Sequence, residues 1–454
     1  MACTNKNRDE SQSEGSSAFT GANGEVKLMT LDPGHFHAAL VQKEMYAQVD
    51  PAVYVYAPKG PDVLGHMARI RAYNTREENP TAWEEKIYTG DDYLEKMLAE
   101  KPGNVMVTAG NNAKKTEYIL KSIEAGINVL ADKPMVISPD EFPMLEQAFQ
   151  VAGEKGVLLY DIMTERHEIT TILQRELSQI PEVFGTLEEG TPEEPAITKE
   201  SVHHLFKYVS GEPLQRPEWF FDVAQQGQGM ADVGTHLVDL IQWEAFPEEI
   251  LSKDDVEIIS AKQWATGLTP EMFKKVTGAD EFPAYLQGNV DDGILKYECN
   301  GEMNYRLKGI HAKVSVVWNF EAPEGTGDTH YSIMRGTKCN VIIKQGEEEG
   351  YKPTLYVEAK TSGEPDAFAT ALGEAVEETL TVKYPGITLR EAGENLWIVD
   401  IPEKYKVGHE AHFAQVTEKF LQYLVDGKLP DWEVPDMIVK YYTTTQALKM
   451  AIKE

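Results

Sequence analysis

Two groups of polar residues in this 454-residue sequence have types and spacings that suit acid–base chemistry. The first is Asp132-Lys133-Pro134, which follows the short apolar run 127–130. A lysine held at the end of a buried strand could stabilise an alkoxide, because a preorganised cation stabilises negative charge as it develops. On these residues alone, a surface turn with a solvated lysine is an equally good interpretation.

The second group is Asp232, His236 and Asp239, whose spacing of i, i+4 and i+7 places them on one face of a helix. The imidazole pKa of about 6.5 suits accepting a proton from an alcohol at neutral pH. An acidic residue one turn earlier would orient the ring and stabilise its charged form. The alternative is that Asp232 caps the helix and His236 simply packs.

Alternation of strands and helices over residues 26–165 predicts a doubly wound parallel sheet of the α/β class. Only the stretch 60–100 lacks a clear pattern, and we predict it to be irregular until a helix at 93–100. Ligands of such sheets bind outside the carboxyl ends of the strands. Lys133 is therefore expected at the edge of the ligand-binding cleft.

The pattern changes after residue 183, where alternating segments predict a mostly antiparallel sheet with flanking helices. These segments are 256–261, 293–299, 312–320 and 340–344. The fold class is thus α/β plus α+β. We predict a disordered tail over 1–24, a dinucleotide-binding Rossmann domain over 25–165, and a second domain over 166–454 whose two C-terminal helices pack back.

The turn after the first strand, from Asp32 to His37, stands where a G-x-G-x-x-G motif would let a pyrophosphate approach a helix. Only Gly34 is present, and the bulk of His35 and His37 would crowd a dinucleotide bound in the usual way. The second strand also lacks an acidic residue at its end for the ribose hydroxyls. Lys59, just beyond it, could meet a 2′-phosphate or be solvated.

Two motifs resemble those of the glucose–fructose oxidoreductase / inositol dehydrogenase (Gfo/Idh/MocA) family. The segment "ADKP" is similar to its Glu-Lys-Pro signature, with Asp132 in place of the usual Glu. The segment "GMADVGTHLVDLIQW", residues 229–243, resembles its Asp-x-Gly-x-His-x-x-Asp helix. The order and separation of the motifs also fit, and the resemblance covers residues 25–450.

The resemblance implies a nicotinamide-dependent oxidoreductase that acts on a sugar, glycoside or polyol, with NAD favoured over NADP. It implies that Lys133, Asp232 and His236 line the substrate and that His236 is the base. The predicted cofactor contacts are Asp32, Gly34, His35, Phe36, Asn111, Asn112, Asp132 and Lys133. The predicted substrate contacts are Arg166, His204, Trp219 and His236. The family also associates through its second-domain sheet, so a homo-oligomer is expected.

Two other functions stay open. The same fold and cofactor could carry out net glycoside hydrolysis through a transient keto-sugar. Alternatively, the damaged glycine motif around Gly34 could belong to a non-catalytic sugar-binding lipoprotein on a decayed dinucleotide fold.

The formal net charge of −31 argues against nucleic acid or an anionic membrane as partner, because both require a basic surface. No stretch approaches the ~20 apolar residues of a membrane span. Cys3 heads the polar tail and resembles the lipidated first residue of a mature bacterial lipoprotein. This indicates a periplasmic or outer-membrane protein, with a plain flexible N-terminus in the cytoplasm as the alternative.

No metal site is predicted. His409 and His412 share a helix face and could join His236 around an ion, but their face continues into Val416 and Phe420, which is typical of packing.

The three aromatic residues at 219–221 could contact a sugar or belong to the core. At least two of the three rings are expected in the core, whereas one could stack on a sugar.

Overall fold

The computed structural model describes residues 19–209, 212–324, 326–360 and 365–452. Its first sheet has six parallel strands in the order β3-β2-β1-β4-β5-β6. The strands are β1 (Leu28–Leu31), β2 (Ala52–Ala57), β3 (Glu84–Thr89), β4 (Val105–Thr108), β5 (Asn128–Asp132) and β6 (Leu159–Ile162). The helices between them are α1 (His37–Leu40), α2 (Pro61–Thr75), α3 (Tyr93–Glu100), α4 (Lys115–Glu124) and α5 (Phe142–Lys155).

The central strands of this sheet are buried along their whole length, because helices cover both faces. The prediction of irregular structure over 60–100 was wrong, since α2 and β3 lie there. Pro61 starts α2 at a position that proline favours, although the helix has no clear apolar stripe. The strand β3 is an edge strand whose charged side chains hide the alternation that would mark it.

The second sheet has ten strands and is mostly antiparallel, as predicted. Its path is β10-β12-β13-β7-β14-β15-β16-β18-β17, with β11 beside β12, and the pair β13–β7 is parallel. The strands are β7 (Ile197–Phe206), β10 (Val256–Leu268), β11 (Val290–Asp291), β12 (Ile294–Leu307), β13 (Ile310–Glu321), β14 (Thr329–Arg335), β15 (Cys339–Gln345), β16 (Thr354–Ala359), β17 (Thr388–Gly393) and β18 (Leu396–Asp400). A separate small ribbon pairs β8 (Tyr208–Val209) with β9 (Glu212–Pro213).

Helices cover this sheet and connect it to the first domain. They are α6 (Ile169–Ser178), α7 (Val223–Gln226), α8 (Val233–Ala245), α9 (Pro270–Thr277), α10 (Pro365–Ala375), α11 (Thr381–Lys383), α12 (His409–Asp426) and α13 (Glu433–Ala451). The helix α12 returns to the first domain, where Val416 and Phe420 are buried in its core. The prediction that this helix face packs is therefore confirmed.

The N-terminal segment is ordered from earlier than predicted. Phe19 packs against the core of the first domain, and the backbone N–H groups of residues 20–22 donate to the Glu25 carboxylate. Cys3 and most of the predicted tail lie outside the described residues. Across the described ranges, none of the helices is both long and apolar enough to cross a membrane.

A buried charge network joins the two domains. Arg166, which follows β6, donates two hydrogen bonds of 2.7 Å to Asp239 on α8 and one of 2.7 Å to Glu433 on α13. Lys440 on α13 lies 2.8 Å from Asp239 and 2.7 Å from Asp161 at the end of β6. Burial disfavours the charged form of Asp239, but its two cationic partners outweigh this and hold its pKa below the ordinary value.

We expect Asp239→Asn to lower the free energy of unfolding by about 1.5–3 kcal/mol at neutral pH, because it weakens the charged hydrogen bonds that Arg166 and Lys440 donate to Asp239, although both cations keep a second carboxylate partner. A carboxyl whose pKa is depressed in the folded state stabilises above its unfolded pKa of about 4 and stops doing so as the pH falls through the folded value. Urea unfolding at a series of pH values should show the mutational loss shrinking towards strong acid. The exposed Lys428–Asp431 pair gives a control, since Asp431→Asn should change stability little. A loss for Asp239→Asn that is the same at every pH would contradict this account.

Candidate active site

Lys133 and Asp232 form an ion pair between the two domains. Lys133 directly follows β5, and Asp232 occupies the residue before α8. The Lys133 Nζ lies 2.6 Å from the Asp232 Oδ1, and both side chains are largely buried. Burial would raise the pKa of Asp232, but Lys133 and a hydrogen bond from Gln226 outweigh it, so the pKa lies below its usual value. The Asp232 side chain makes no capping bond to its helix, so the capping alternative is wrong.

Hydrogen bonds from side-chain amides connect this ion pair to the loop after β4. Gln226, at the end of α7, donates from Nε2 to the Asp232 Oδ2 over 3.1 Å. Its carbonyl oxygen accepts from the Asn112 Nδ2 at 2.8 Å, and the neighbouring Asn111 Nδ2 donates to the Gln225 Oε1 at 2.6 Å. The two asparagines predicted to contact a cofactor thus also hold the second domain over the strand ends.

His236 lies one turn into α8 and is half-buried. Its Nδ1 is buried and has no hydrogen-bond partner among the described residues. Burial, followed by the charge of Lys133, lowers the pKa of His236 well below 6.5. The predicted orienting bond from Asp232 is absent, because both Asp232 oxygens are taken by Lys133 and Gln226. The ring is therefore neutral at physiological pH and able to accept a proton.

Two predicted substrate contacts have other partners. The three hydrogen bonds of Arg166 go to Asp239 and Glu433, and its side chain is buried, so we assign it to the domain junction. His204 is buried, and its Nδ1 lies 2.9 Å from the Asp328 Oδ1. Its neighbour His203 stacks on Trp318; burial lowers the pKa of His203, and the charges of Asp328 and Asp232 oppose this lowering.

The turn after β1 is closely packed. A Cβ atom on Gly34 would lie 3.1 Å from the Asp62 Oδ2 and 3.2 Å from the Trp219 ring. A Cβ on Gly110, at the end of β4, would lie 2.4 Å from the Asp32 carbonyl oxygen. Only glycine fits at position 110, where the contact is with backbone, whereas a Cβ at position 34 would press on two side chains. The backbone of the turn and that of the loop after β4 therefore approach each other closely.

Trp219 comes from the second domain and reaches this turn. Its Nε1–H donates to the Asp62 Oδ2 at 2.9 Å, and the ring is half-buried, while Phe220 and Phe221 are buried in the core. The expectation that two of the three rings belong to the core is confirmed. Beside it, the Asp32 Oδ2 accepts from Tyr118 at 2.9 Å, and Phe36 packs against the ring of His35.

Asp62 was missed from the sequence because residues 60–100 were predicted to be irregular. It stands at the start of α2, just beyond β2, and beside the turn at Gly34. Dinucleotide-binding folds use an acidic residue near the end of the second strand to bind the ribose hydroxyls. The signal was the sequence Gly60-Pro61-Asp62, since proline after a strand often opens a helix. The groups at this edge therefore fit a dinucleotide: the Asp62 carboxylate as an acceptor for ribose hydroxyls, a glycine turn, two amides and Lys133.

Two further groups at the same edge have shifted pKa values. Burial, then the nearby Glu168, raises the pKa of Glu165 to about 7, against the opposing charge of Lys133. Burial lowers the pKa of Lys115 to about 8, and its Nζ donates to the Asp132 carbonyl oxygen at 3.0 Å. The edge therefore combines a neutral histidine, a paired lysine and a carboxyl that is partly protonated at neutral pH, which is a set suited to moving protons between oxygen atoms.

The comparisons with known proteins agree with this architecture. Residues 173–452 match the family described as "Putative oxidoreductase C terminal domain". The crystal structure of "a putative oxidoreductase from Parabacteroides merdae" is 60% identical, covers 96% of this chain and 100% of that chain, and has a TM-score of 0.95. Comparison with curated proteins gives no match.

More distant structures share the fold. GenD2 from gentamicin A biosynthesis, in complex with NAD, is 16% identical, with 97% of each chain covered and a TM-score of 0.57. Levoglucosan dehydrogenase, in complex with NADH, is 12% identical, with 94% of this chain and 97% of that chain covered and a TM-score of 0.58. These structures therefore share the two-domain fold of this chain. Because the family model covers most of its length, the chain belongs to the oxidoreductase C-terminal domain family.

Proposed function

We propose that this protein is a nicotinamide-dependent oxidoreductase that moves a hydride between a ring carbon of a sugar, glycoside or polyol and the cofactor. The observation that carries the proposal is the Lys133–Asp232 pair beside His236, whose Nδ1 is buried without a partner. An alcohol that loses a hydride must also lose its hydroxyl proton. A neutral imidazole next to a fixed ammonium group suits that proton transfer.

In this proposal each residue has one role. His236 accepts the hydroxyl proton, and Lys133 stabilises the alkoxide oxygen. Asp232 holds the lysine in place. The nicotinamide, when bound, supplies the hydride chemistry.

The cofactor would be held by the strand-end residues of the first domain. Asp62 would bind the adenosine ribose, and the turn at Gly34 would contact the phosphates. Asn111 and Asn112 would lie beside the rest of the cofactor molecule. Trp219 packs against the turn at Gly34. Its ring would therefore either contact the bound cofactor or move aside when the cofactor binds. NAD is favoured over NADP, because the Asp62 carboxylate would repel a 2′-phosphate. GenD2 and levoglucosan dehydrogenase, with NAD and NADH in their structures, support the cofactor class.

The direct test starts with the cofactor. Purified protein is denatured, and any released nicotinamide is identified by absorbance and mass spectrometry. Stripped protein is then titrated with NAD and NADP, followed by a screen of sugars, glycosides and polyols for cofactor reduction. Absence of nicotinamide at both steps would favour the non-catalytic sugar-binding alternative.

Asp62→Asn should weaken NAD binding by at least about tenfold, because a hydrogen bond to a charged acceptor contributes roughly 1.5–3 kcal/mol. The same change should improve NADP binding, since the negative charge near the 2′-phosphate is removed. Fluorescence titration with NADH and NADPH gives both constants. Trp219→Phe is the matched control, because it removes the hydrogen bond to Asp62 but leaves the charge. An unchanged NAD-to-NADP ratio in Asp62→Asn would show that this carboxylate does not face the ribose.

A second candidate function is redox-assisted cleavage of a glycoside, and the raised pKa of Glu165 favours it. Oxidation of a ring hydroxyl to a ketone makes the neighbouring C–H acidic, so a base can remove its proton and the aglycone can leave. A carboxyl that is partly protonated at neutral pH could give the leaving oxygen its proton. Water then adds to the unsaturated ketone that remains, and reduction of this ketone by the reduced cofactor gives the free sugar and restores the oxidised cofactor. Turnover of an aryl glycoside with far less NAD than substrate would select this reaction over net oxidation.

A further inference from the structure

Three metal-ligating side chains converge at the ends of two strands that are not neighbours. His35 and His37 follow β1, whereas Asp132 ends β5, and β4 lies between those strands. One ring nitrogen of each histidine and one Asp132 carboxylate oxygen all lie within 4.8 Å of one another. The turn from Asp32 to His37 therefore crosses over the end of β4 and brings the two imidazoles to the carboxylate.

The His37–Asp132 distance suits two ligands of one metal ion, whereas the His35 imidazole would have to move closer to share that ion. The His37 Nδ1 lies 3.0 Å from the Asp132 Oδ2, and the His35 Nδ1 lies 3.9 Å from the same oxygen. Ligand atoms bonded to one ion at about 2.0–2.2 Å stand roughly 3–3.5 Å apart. A hydrogen bond between His37 and Asp132 explains the shorter distance, and the His35 ring is held beside them by the His37 backbone N–H, which donates to its Nδ1 at 3.4 Å, and by edge-on packing against the His37 ring. The same arrangement leaves both imidazoles facing the one carboxylate.

We propose that His35, His37 and Asp132 bind a divalent transition-metal ion beside Lys133. Two imidazoles and a carboxylate form a ligand set suited to Zn²⁺, Fe²⁺ or Co²⁺. Three protein ligands leave coordination positions open towards the cleft, because His35 is only half-buried. The site is distinct from the proposed acid–base residues, since its ligands do not include His236 or Asp232, but it borders the proposed cofactor site, because His35 and Asp132 are also predicted cofactor contacts.

The surroundings set the strength of binding. The His409 ring on α12 lies 5.2 Å from the ring of His37, so a third imidazole borders the site. The carboxylates of Asp132 and Asp232 balance the ammonium groups of Lys115 and Lys133, so the ion adds its two charges to a region that is close to neutral. Affinity should therefore be moderate, and lower than that of a closed structural zinc site.

The experiment uses the full chain after removal of metals with a chelator. Titration with Co²⁺, followed by visible absorption, and calorimetry with Zn²⁺ should each show one saturable ion per chain. Asp132→Asn, His35→Gln and His37→Gln should each weaken binding by about 100-fold or more, since changes one shell further out already cost about 10–100-fold. His311→Gln, which alters a histidine on the second-domain strand β13, should bind as tightly as the natural chain.

X-ray absorption on the zinc-loaded natural protein provides a test that needs no variant. It should show two imidazole nitrogens and carboxylate oxygen at about 2.0–2.2 Å, and no sulfur. The absence of sulfur distinguishes the proposed site from binding at a cysteine, because Cys299 and Cys339 are free thiols, buried in the second domain. Failure of the natural protein to bind Co²⁺ or Zn²⁺, equal affinity in the three ligand variants, or sulfur in the zinc shell would each overturn the proposal.

Discussion

Lys133→Met should lower turnover by at least about 100-fold, because it removes the cation that faces the developing alkoxide. It should also lower the free energy of unfolding by about 3–5 kcal/mol, because the buried Asp232 loses its partner. The double variant Lys133→Met/Asp232→Asn separates these two effects, since no charge is then left unpaired. We expect it to recover most of the stability and none of the activity. Steady-state kinetics and urea unfolding measure the two quantities.

The exposed Lys114, at the same edge of the sheet, gives the control for charge alone. Lys114→Met should keep normal turnover and stability. A Lys133→Met variant with near-normal turnover would show that the lysine only supports the structure. A double variant that regains activity as well as stability would lead to the same conclusion.

His236→Gln should lower kcat by about 10²–10⁴-fold, the usual contribution of a general base. The pH dependence sharpens this expectation. Because burial and Lys133 lower the pKa of His236 well below 6.5, the ring is already deprotonated at neutral pH. The acid limb of kcat/KM should therefore lie below pH ~6.5, and turnover should stay level through neutrality. The acid limb should thus lie at a lower pH than it would for a histidine with an ordinary pKa.

The pH profile of the variant is the deciding measurement. In His236→Gln the residual activity should lack that acid limb. His412→Gln changes a histidine that α12 buries near Glu168, so its profile should match that of the natural protein. If His236→Gln keeps the same acid limb, the base is another group, and His203 becomes the first to examine.

The Lys133–Asp232 pair also makes the proposed site depend on the relative position of the two domains. Gln226 links Asp232 to Asn112, so a shift of α7 would disturb both the lysine and the loop after β4. The buried network around Asp239 holds the middle of the same helix, α8. The geometry of the proposed site therefore depends on contacts that carry no chemistry of their own.

The sequence by itself determined those features that depend on local spacing. Alternation of apolar runs and helices predicted the parallel sheet, because both faces of its strands must be buried. The motif around His236 was correctly placed on a helix, because the helical repeat acts within four residues, but Asp232, predicted on the same helix face, lies one residue before α8 with a non-helical backbone. The position of Lys133 at a strand end followed in the same way. The charged edge strand β3 was missed because its exposed side chains conceal the alternation.

Only the tertiary structure decided which groups meet. Asp232 pairs with Lys133 rather than with His236, although His236 is nearer in sequence. The reason is that the Asp232 side chain points from the start of α8 towards the end of β5. Arg166 joins a domain junction, and Asp62 reaches the turn at Gly34. His35 and His37 meet Asp132 because the turn crosses over the end of β4. Such contacts depend on how whole elements pack, and a buried charge takes whichever partner the packing brings within reach.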